Sequence, residues 1–352
     1  TEIYTLSLHD ALPIWGDLFL AEGNLDAARR DFRRALQLSV DNTWAMQRLL
    51  KACDDGPERR EAIRFIETEL VRQTTIGAGW LEFMDLARPY LTSWELHDLL
   101  ERAHRTRPDL WQTWSTLARQ KSALAHHYEA LALINQANQR FPLLARLWLD
   151  RSTILLARHD HVGERQALEK ACQLDPEWGD ANRALAQACY STGDPEEALR
   201  VLEEAARRSP LDSLTQVALA EARRKRGNPG GAIEALRAAV LSAPGNEWAW
   251  QELDSLGRSQ GQPELAGELA EELLQRRPGE ARSWWLRART LHGPGSRDRQ
   301  LELLNHALAL NPTMIPALRL RADLLADSGR WEEALATFHP TVLHGTDRKS
   351  VV

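Results

Sequence analysis

Residues 175–210 read DPEWGDANRALAQACYSTGDPEEALRVLEEAARRSP, and this stretch decides the fold. Asn182, Leu185, Ala186 and Cys189 recur at i, i+3, i+4 and i+7, one face of a 3.6-residue period. Thr192-Gly193-Asp194-Pro195 then breaks the pattern. A glycine can end a helix in the left-handed region, and a proline fits the first position of the next one. Asp194 is placed to cap that second helix, and Glu196 and Glu197 complement its positive end. Ala198, Leu202 and Ala205 form the second apolar stripe. Pro210 stops it, because proline lacks the amide that would continue the ladder. The stretch therefore predicts a helix, a tight turn, a second helix and a stop.

The unit repeats. Prolines stand at 108, 142, 176, 210, 244, 278 and 312, each 34 residues after the last. Around them the same slots recur: Trp114, Leu117, Ala118, Ala130, Ile134, Ala137 and Pro142, then Gln216, Leu219, Ala220, Ala232, Leu236, Ala239 and Pro244. Small residues sit where two helices must approach closely. This pattern resembles the tetratricopeptide repeat, a 34-residue pair of helices. The resemblance implies an all-α fold, an α-solenoid in the form of a right-handed superhelix of about ten helix-turn-helix units. It covers about 15–346: degenerate repeats over 43–110, regular ones over 111–314, and a shortened last repeat over 315–346. In the degenerate part Glu69 and Thr74 replace the expected Ala and Pro, and Ser93 is the expected N-cap. Glu164 replaces an alanine in the repeat 145–178.

The two ends do not share the repeat's composition. Residues 1–14 and 347–352 read as opposite strands of one sequencing-adapter oligonucleotide, so both are expected to be adapter-derived and the repeat array to be a piece of a longer, bacterial protein.

Composition narrows the function. The formal net charge is −6, with Arg and Glu intermixed, which gives no basic footprint for nucleic acid. No apolar run approaches a membrane span. Cys53, Cys172 and Cys189 are widely spaced and read as buried thiols, not as a disulfide framework, with Cys189 in a core slot. A cytoplasmic location is expected. His126-His127 and His159-x-His161 fall in turns without further ligands at metal spacing, and read as solvated. No phosphate loop, zinc-protease helix or nucleophile elbow is present, so neither a catalytic residue nor a cofactor nor a metal is expected. Arg151, Arg287 and Arg321 stand in Leu slots, as in protein prenyltransferase alpha subunits with their W-x-x-R motif; here they read as stems laid on the core with paired heads.

Thirteen tryptophans are many for this length. Trp114, Trp148, Trp250 and Trp284 fall in the packing slot. Trp44, Trp248 and Trp285 fall off the stripe, on the side of the first helix that lines the concave surface in the family. By the same phase Arg183, Gln187, Tyr190, Gln251, Arg282, Arg289 and Arg319 are expected to face inward. Trp, Tyr and Arg are the usual anchors of interfaces. The resemblance therefore implies a non-catalytic scaffold that grips a protein or peptide segment, with Trp248, Trp285 and Arg289 as its centre. The lysine and asparagine set with which some family members clamp a C-terminal carboxylate is missing, which argues against a cochaperone role. A second expectation is a recruiting arm of a larger enzyme, since similar arrays adjoin glycosyltransferase or sulfotransferase domains.

Overall fold

A computed structural model describes residues 8–54, 56–74, 77–293 and 295–338; the expectations for 1–7 and 347–352 lie outside them. The described residues form twenty α-helices and one short 3-10 turn, Arg88–Tyr90. The chain divides after Pro176 into two compact units.

The first unit holds α1 (Leu8–Ala21), α2 (Leu25–Leu38), α3 (Thr43–Lys51), α4 (Gly56–Arg72), α5 (Gly79–Ala87), α6 (Ser93–Thr106), α7 (Trp111–Ala123), α8 (His127–Arg140), α9 (Ala145–Ala157) and α10 (His161–Leu174). The second holds α11 (Gly179–Ser191), α12 (Pro195–Arg208), α13 (Ser213–Lys225), α14 (Pro229–Ser242), α15 (Glu247–Ser259), α16 (Leu265–Arg276), α17 (Ala281–Thr290), α18 (Ser296–Leu310), α19 (Ile315–Asp327) and α20 (Trp331–Ala336). In the regular repeats each odd-numbered helix pairs with the next even-numbered one as a hairpin. Within each unit a second helix also packs on the next first helix, as α2 does on α3 and α12 on α13. First helices touch first helices, as in α7 with α9 and α11 with α13. Each unit is thus a stack in which a repeat buries its apolar face only on its neighbours.

In most hairpins the inner turn follows the reading of Thr192 to Pro195. Gly193 has φ +78°, its amide donates to Tyr190 O at 3.1 Å, and the Asp194 amide donates to Cys189 O at 2.9 Å. Asp194 then accepts from the Glu197 amide at 3.2 Å and starts the second helix. Two residues therefore close one helix and open the next. Gly23, Gly227, Gly261 and Gly329 repeat the left-handed cap with φ between +70° and +78°. At the same place in the repeat stand Ala125 and His159, left-handed without being glycine, at φ +63° and +59°.

The turn between hairpins is where the prolines act. The residue before the proline accepts from the amide three positions on: Arg107 from Leu110, Ser209 from Asp212, Ala243 from Asn246, Arg277 from Glu280, Asn311 from Met314. Proline suits the second position of such a turn because its φ is preset. The consensus slots are buried as expected, Ala130, Ile134, Ala137, Ala198 and Ala239 completely or nearly so. Enlarging Ala198 should cost roughly 1–3 kcal/mol by overpacking.

The degenerate repeats are helical too, held by polar bonds where the pattern fails. Gln73, beside the missing proline, accepts from the Val40 amide at 2.8 Å and donates to Leu36 O at 2.7 Å. Asp41 accepts from the Gly77 and Gly79 amides at 2.5 and 2.9 Å. Arg107 donates to Val71 O and Gln73 O, both at 2.9 Å. Glu69, buried in its alanine slot, is met by Arg72 and Gln73. The N-cap of α6 is Thr92, one residue before the expected Ser93, because Thr92 and Glu95 form a reciprocal capping box at 3.2 and 2.8 Å.

The helix α1 begins at Leu8, inside the stretch read as adapter-derived. It runs through Pro13 and buries Leu12 in the core of the first unit. Gly16 packs under the Phe32 ring, where a Cβ would lie 2.5 Å from Cε1. Cys53 and Cys189 are buried, Cys172 is half-buried, and none of the three is in a disulfide among the described residues.

Candidate functional site

Of the ten residues expected to face inward, Trp44 lies on α3 in the first unit and is 37% exposed; the other nine lie in the second unit, on α11, α15, α17 and α19. Spacing by 34 sorts most of them into rows. Arg183, Gln251, Trp285 and Arg319 share one place in the repeat; Gln187 and Arg289 share another; Trp248 and Arg282 share a third.

The first row is not a uniform outward face. Gln251 and Arg319 are exposed. Trp285 is only 6% exposed, which corrects the expectation that it offers its ring to a partner. A first helix in a stack is covered on two sides, by its own hairpin partner and by the neighbouring hairpin, so its buried arc is wider than one stripe. The Arg289 guanidinium lies 5.2 Å from the Trp285 ring centre and covers it. Arg183 is half-buried and held within its own unit. It pairs with Asp180, and with Asp212 Oδ2 at 2.8 Å, and donates to Thr215 Oγ1 at 2.9 Å. Burial pushes the Asp212 carboxyl up, but hydrogen bonds from the Thr215 hydroxyl and amide and the Arg183 charge outweigh it and hold it below the ordinary range.

Gln187 is exposed. Tyr190 is half-buried, with Lys225 Nζ 5.2 Å from its ring centre, and burial raises its phenol pKa. Both stand on α11, two hairpins before Trp248 on α15.

The third row is outward throughout. Leu214 is 57% exposed and Trp248 44%, and Arg282 and Pro316, at the same place in the next two repeats, are exposed as well. The phase argument missed Leu214, which the 34-residue spacing from Trp248 would have found. Beside this row, between the turns that follow α14, α16 and α18, lies a cavity of about 450 Å³ lined by Gly245, Gly279, Arg282, Leu310 and Met314 among others.

Four further tryptophans play a structural part at the repeat junctions. Trp250 is buried; Trp114, Trp148 and Trp284, expected in the core, are half-buried. Their indoles donate to the carbonyl of the repeat-ending proline six residues earlier: Trp114 to Pro108 at 2.9 Å, Trp148 to Pro142 at 3.4 Å, Trp250 to Pro244 at 3.2 Å and Trp284 to Pro278 at 2.8 Å. Gln216 does the same to Pro210 at 3.2 Å. Of the arginines in Leu slots, Arg287 pairs with Glu271 at 2.6 Å, Arg321 donates to Thr337 Oγ1 at 3.0 Å, and Arg151 lies 5.5 Å from the Trp148 ring centre. His127 meets Ser122 at 3.2 Å, and His161 meets the buried Glu164 at 3.2 Å. Among the described residues no three His, Cys, Asp or Glu gather as metal ligands, and no helix is long and apolar enough to cross a membrane.

The family model of the tetratricopeptide repeat matches residues 179–222, which span α11, α12 and most of α13. That matched segment is a tetratricopeptide repeat, and helical hairpins at the same 34-residue spacing stand on both sides of it. No curated protein matches this chain. Among solved structures it is similar to TTC0263, a thermophilic tetratricopeptide-repeat protein of Thermus thermophilus, at 18% identity over 50% of this chain and 94% of that one, with a TM-score of 0.40. It is similar to a chain of the APC/C hetero-tetramer Cut9-Hcn1 at 14% identity, covering 99% and 76% of the two chains, TM-score 0.36. YrrB, described as a tetratricopeptide-repeat protein with an unusual peptide-binding site, is 16% identical over 63% and 97%, TM-score 0.34. In tetratricopeptide-repeat terms, the Trp248 row lies near the start of successive first helices, and the proline carbonyls lie at the junctions between repeats.

Proposed function

We propose that this chain is an interaction scaffold that docks a segment of another protein along the row Leu214, Trp248 and Arg282. The observation that carries the reading is that row itself. Three successive repeats present, at one place, a large apolar, an aromatic and a cationic side chain, all exposed. A lone exposed apolar residue needs no explanation, but a line of them at the repeat spacing supplies the anchors that interfaces use. Stacked repeats also offer a long open surface and not a closed dry pocket, which suits recognition. Gln251 and Arg319, exposed on neighbouring turns, extend the surface; Trp285 and Arg183 support it from beneath.

The test is a peptide-display selection on the whole chain, with Trp248→Ser as the counter-selecting competitor. Enrichment of peptides that bind the native chain and not the variant is expected. Enriched peptides that bind both equally would remove the assignment.

A further inference from the structure

The cavity beside the Trp248 row is not accounted for by packing. It is bounded by the turns that follow α14, α16 and α18, and one wall is apolar, formed by Leu310 and Met314. Gly245 and Gly279, again 34 residues apart, put bare backbone on the opposite side. At Gly279 a Cβ would meet nothing within 4 Å. At Gly245 it would collide with Arg282, whose guanidinium Nη1 already fills that position, so Arg282 reaches from α17 across to the preceding inter-repeat turn. The carboxylate that also lines the cavity, Glu280, is engaged by Arg277 at 3.6 Å. Arg282 itself forms no ion pair among the described residues, although Arg277, on the adjoining turn, is engaged by Glu280. A guanidinium fork with free donors, set in a cleft with an apolar wall, matches a carboxylate carried by an apolar chain.

We infer that this cavity takes an acidic side chain, Glu or Asp, of the docked segment, its carboxylate on Arg282 and its neighbouring apolar residue against Leu310 and Met314. The inference rests on the docking reading above and specifies one pocket of it. The occupant is an internal residue and not a chain end, because exposed anchors stand on both sides of the cavity: Trp248 on one, Ile315, 46% exposed, on the other.

The chain has three methionines, and Met46 and Met84 are fully buried in the first unit, so the Met314 methyl is a private reporter of this cavity. The experiment is methyl-labelled NMR of the whole chain, titrated with the capped peptide acetyl-Leu-Glu-Leu-amide, its Gln counterpart, and acetyl-Leu-Gln-Leu with a free carboxyl end. The Glu peptide is expected to shift Met314 alone, with at least tenfold tighter half-saturation than the Gln peptide. Arg282→Gln should abolish that preference. Gly279→Leu, whose Cβ would meet nothing within 4 Å and whose side chain narrows the cavity, should abolish the response while Met46 and Met84 keep their native positions. An unmoved Met314, an equal response to Glu and Gln, or a stronger response to the free carboxyl end would overturn the proposal. Trp248-dependent peptides from the display selection would still stand in those cases, which separates this failure from failure of the docking reading.

Discussion

The indole of Trp250 donates to the carbonyl of Pro244 at 3.2 Å, across the junction between two repeats. That carbonyl follows the end of α14 and precedes α15, so neither helix takes it into its ladder. Proline fixes the turn but leaves its oxygen turned toward the next helix, and a donor six residues on receives it. The relationship recurs at Trp114, Trp148, Gln216 and Trp284. It explains why so many tryptophans sit at one place in the repeat.

Trp250→Phe should therefore cost more than the small loss of ring area implies. A buried acceptor left without its donor typically costs about 1–3 kcal/mol. Urea unfolding should show a lower midpoint for the variant, and Gln216→Leu should lower it as well. An unchanged midpoint in both would mean that the junction carbonyls find other donors.

Trp285→Ala and Trp248→Ala should behave oppositely. Trp285 is buried under Arg289, and emptying such a site costs about 3–5 kcal/mol. Trp248 is 44% exposed, and surface changes of that kind usually stay within about 0.5 kcal/mol. Thermal unfolding of the two variants decides the point, and equal destabilisation would contradict the placement.

The hairpin turns predict two stabilising changes. Ala125 and His159 occupy the left-handed region where most of the other hairpins use glycine, and side chains there cost about 1–2 kcal/mol. Part of that is offset by glycine's freedom in the unfolded chain. Ala125→Gly and His159→Gly should each raise the unfolding midpoint, and Gly193→Ala and Gly227→Ala should lower it. The reverse order would contradict the capping account.

Helix pairs, their turns and their stops were legible in the sequence, because proline, glycine and Asp194 act locally and recur every 34 residues. Burial on the flanks of a first helix was not legible in the same way. Trp284 and Trp285 are adjacent, and helical phase sent the first to the core and the second outward. In the structure Trp284 is half-buried with its edge bonded to Pro278, and Trp285 is the buried one. The outcome depends on which neighbouring hairpin covers that flank and on Arg289 lying over the ring, neither of which is a local property. The side-chain bonds of Gln73, Asp41 and Arg107 in the degenerate repeats were likewise invisible, since each joins residues 33–38 positions apart.

Acid should loosen the second unit through Asp212. Its folded pKa is depressed, so the Arg183, Asp212 and Thr215 network contributes fully above the unfolded carboxylate pKa and is lost as pH falls through the folded one. Thermal midpoints measured from about pH 6 down to about pH 3 should fall more steeply for the native chain than for Asp212→Asn, which keeps the cap of α13 but has no charge to lose. Identical slopes would remove Asp212 from the account.

The central claim is that a protein segment docks on the row Leu214, Trp248 and Arg282. Its most direct measurement is photo-crosslinking of a display-selected peptide carrying a benzophenone, followed by mapping of the attached residues. Adducts on α13, α15 and α17 near Leu214, Trp248 and Arg282 are predicted. Adducts confined to the second helices α12, α14 and α16 would contradict it.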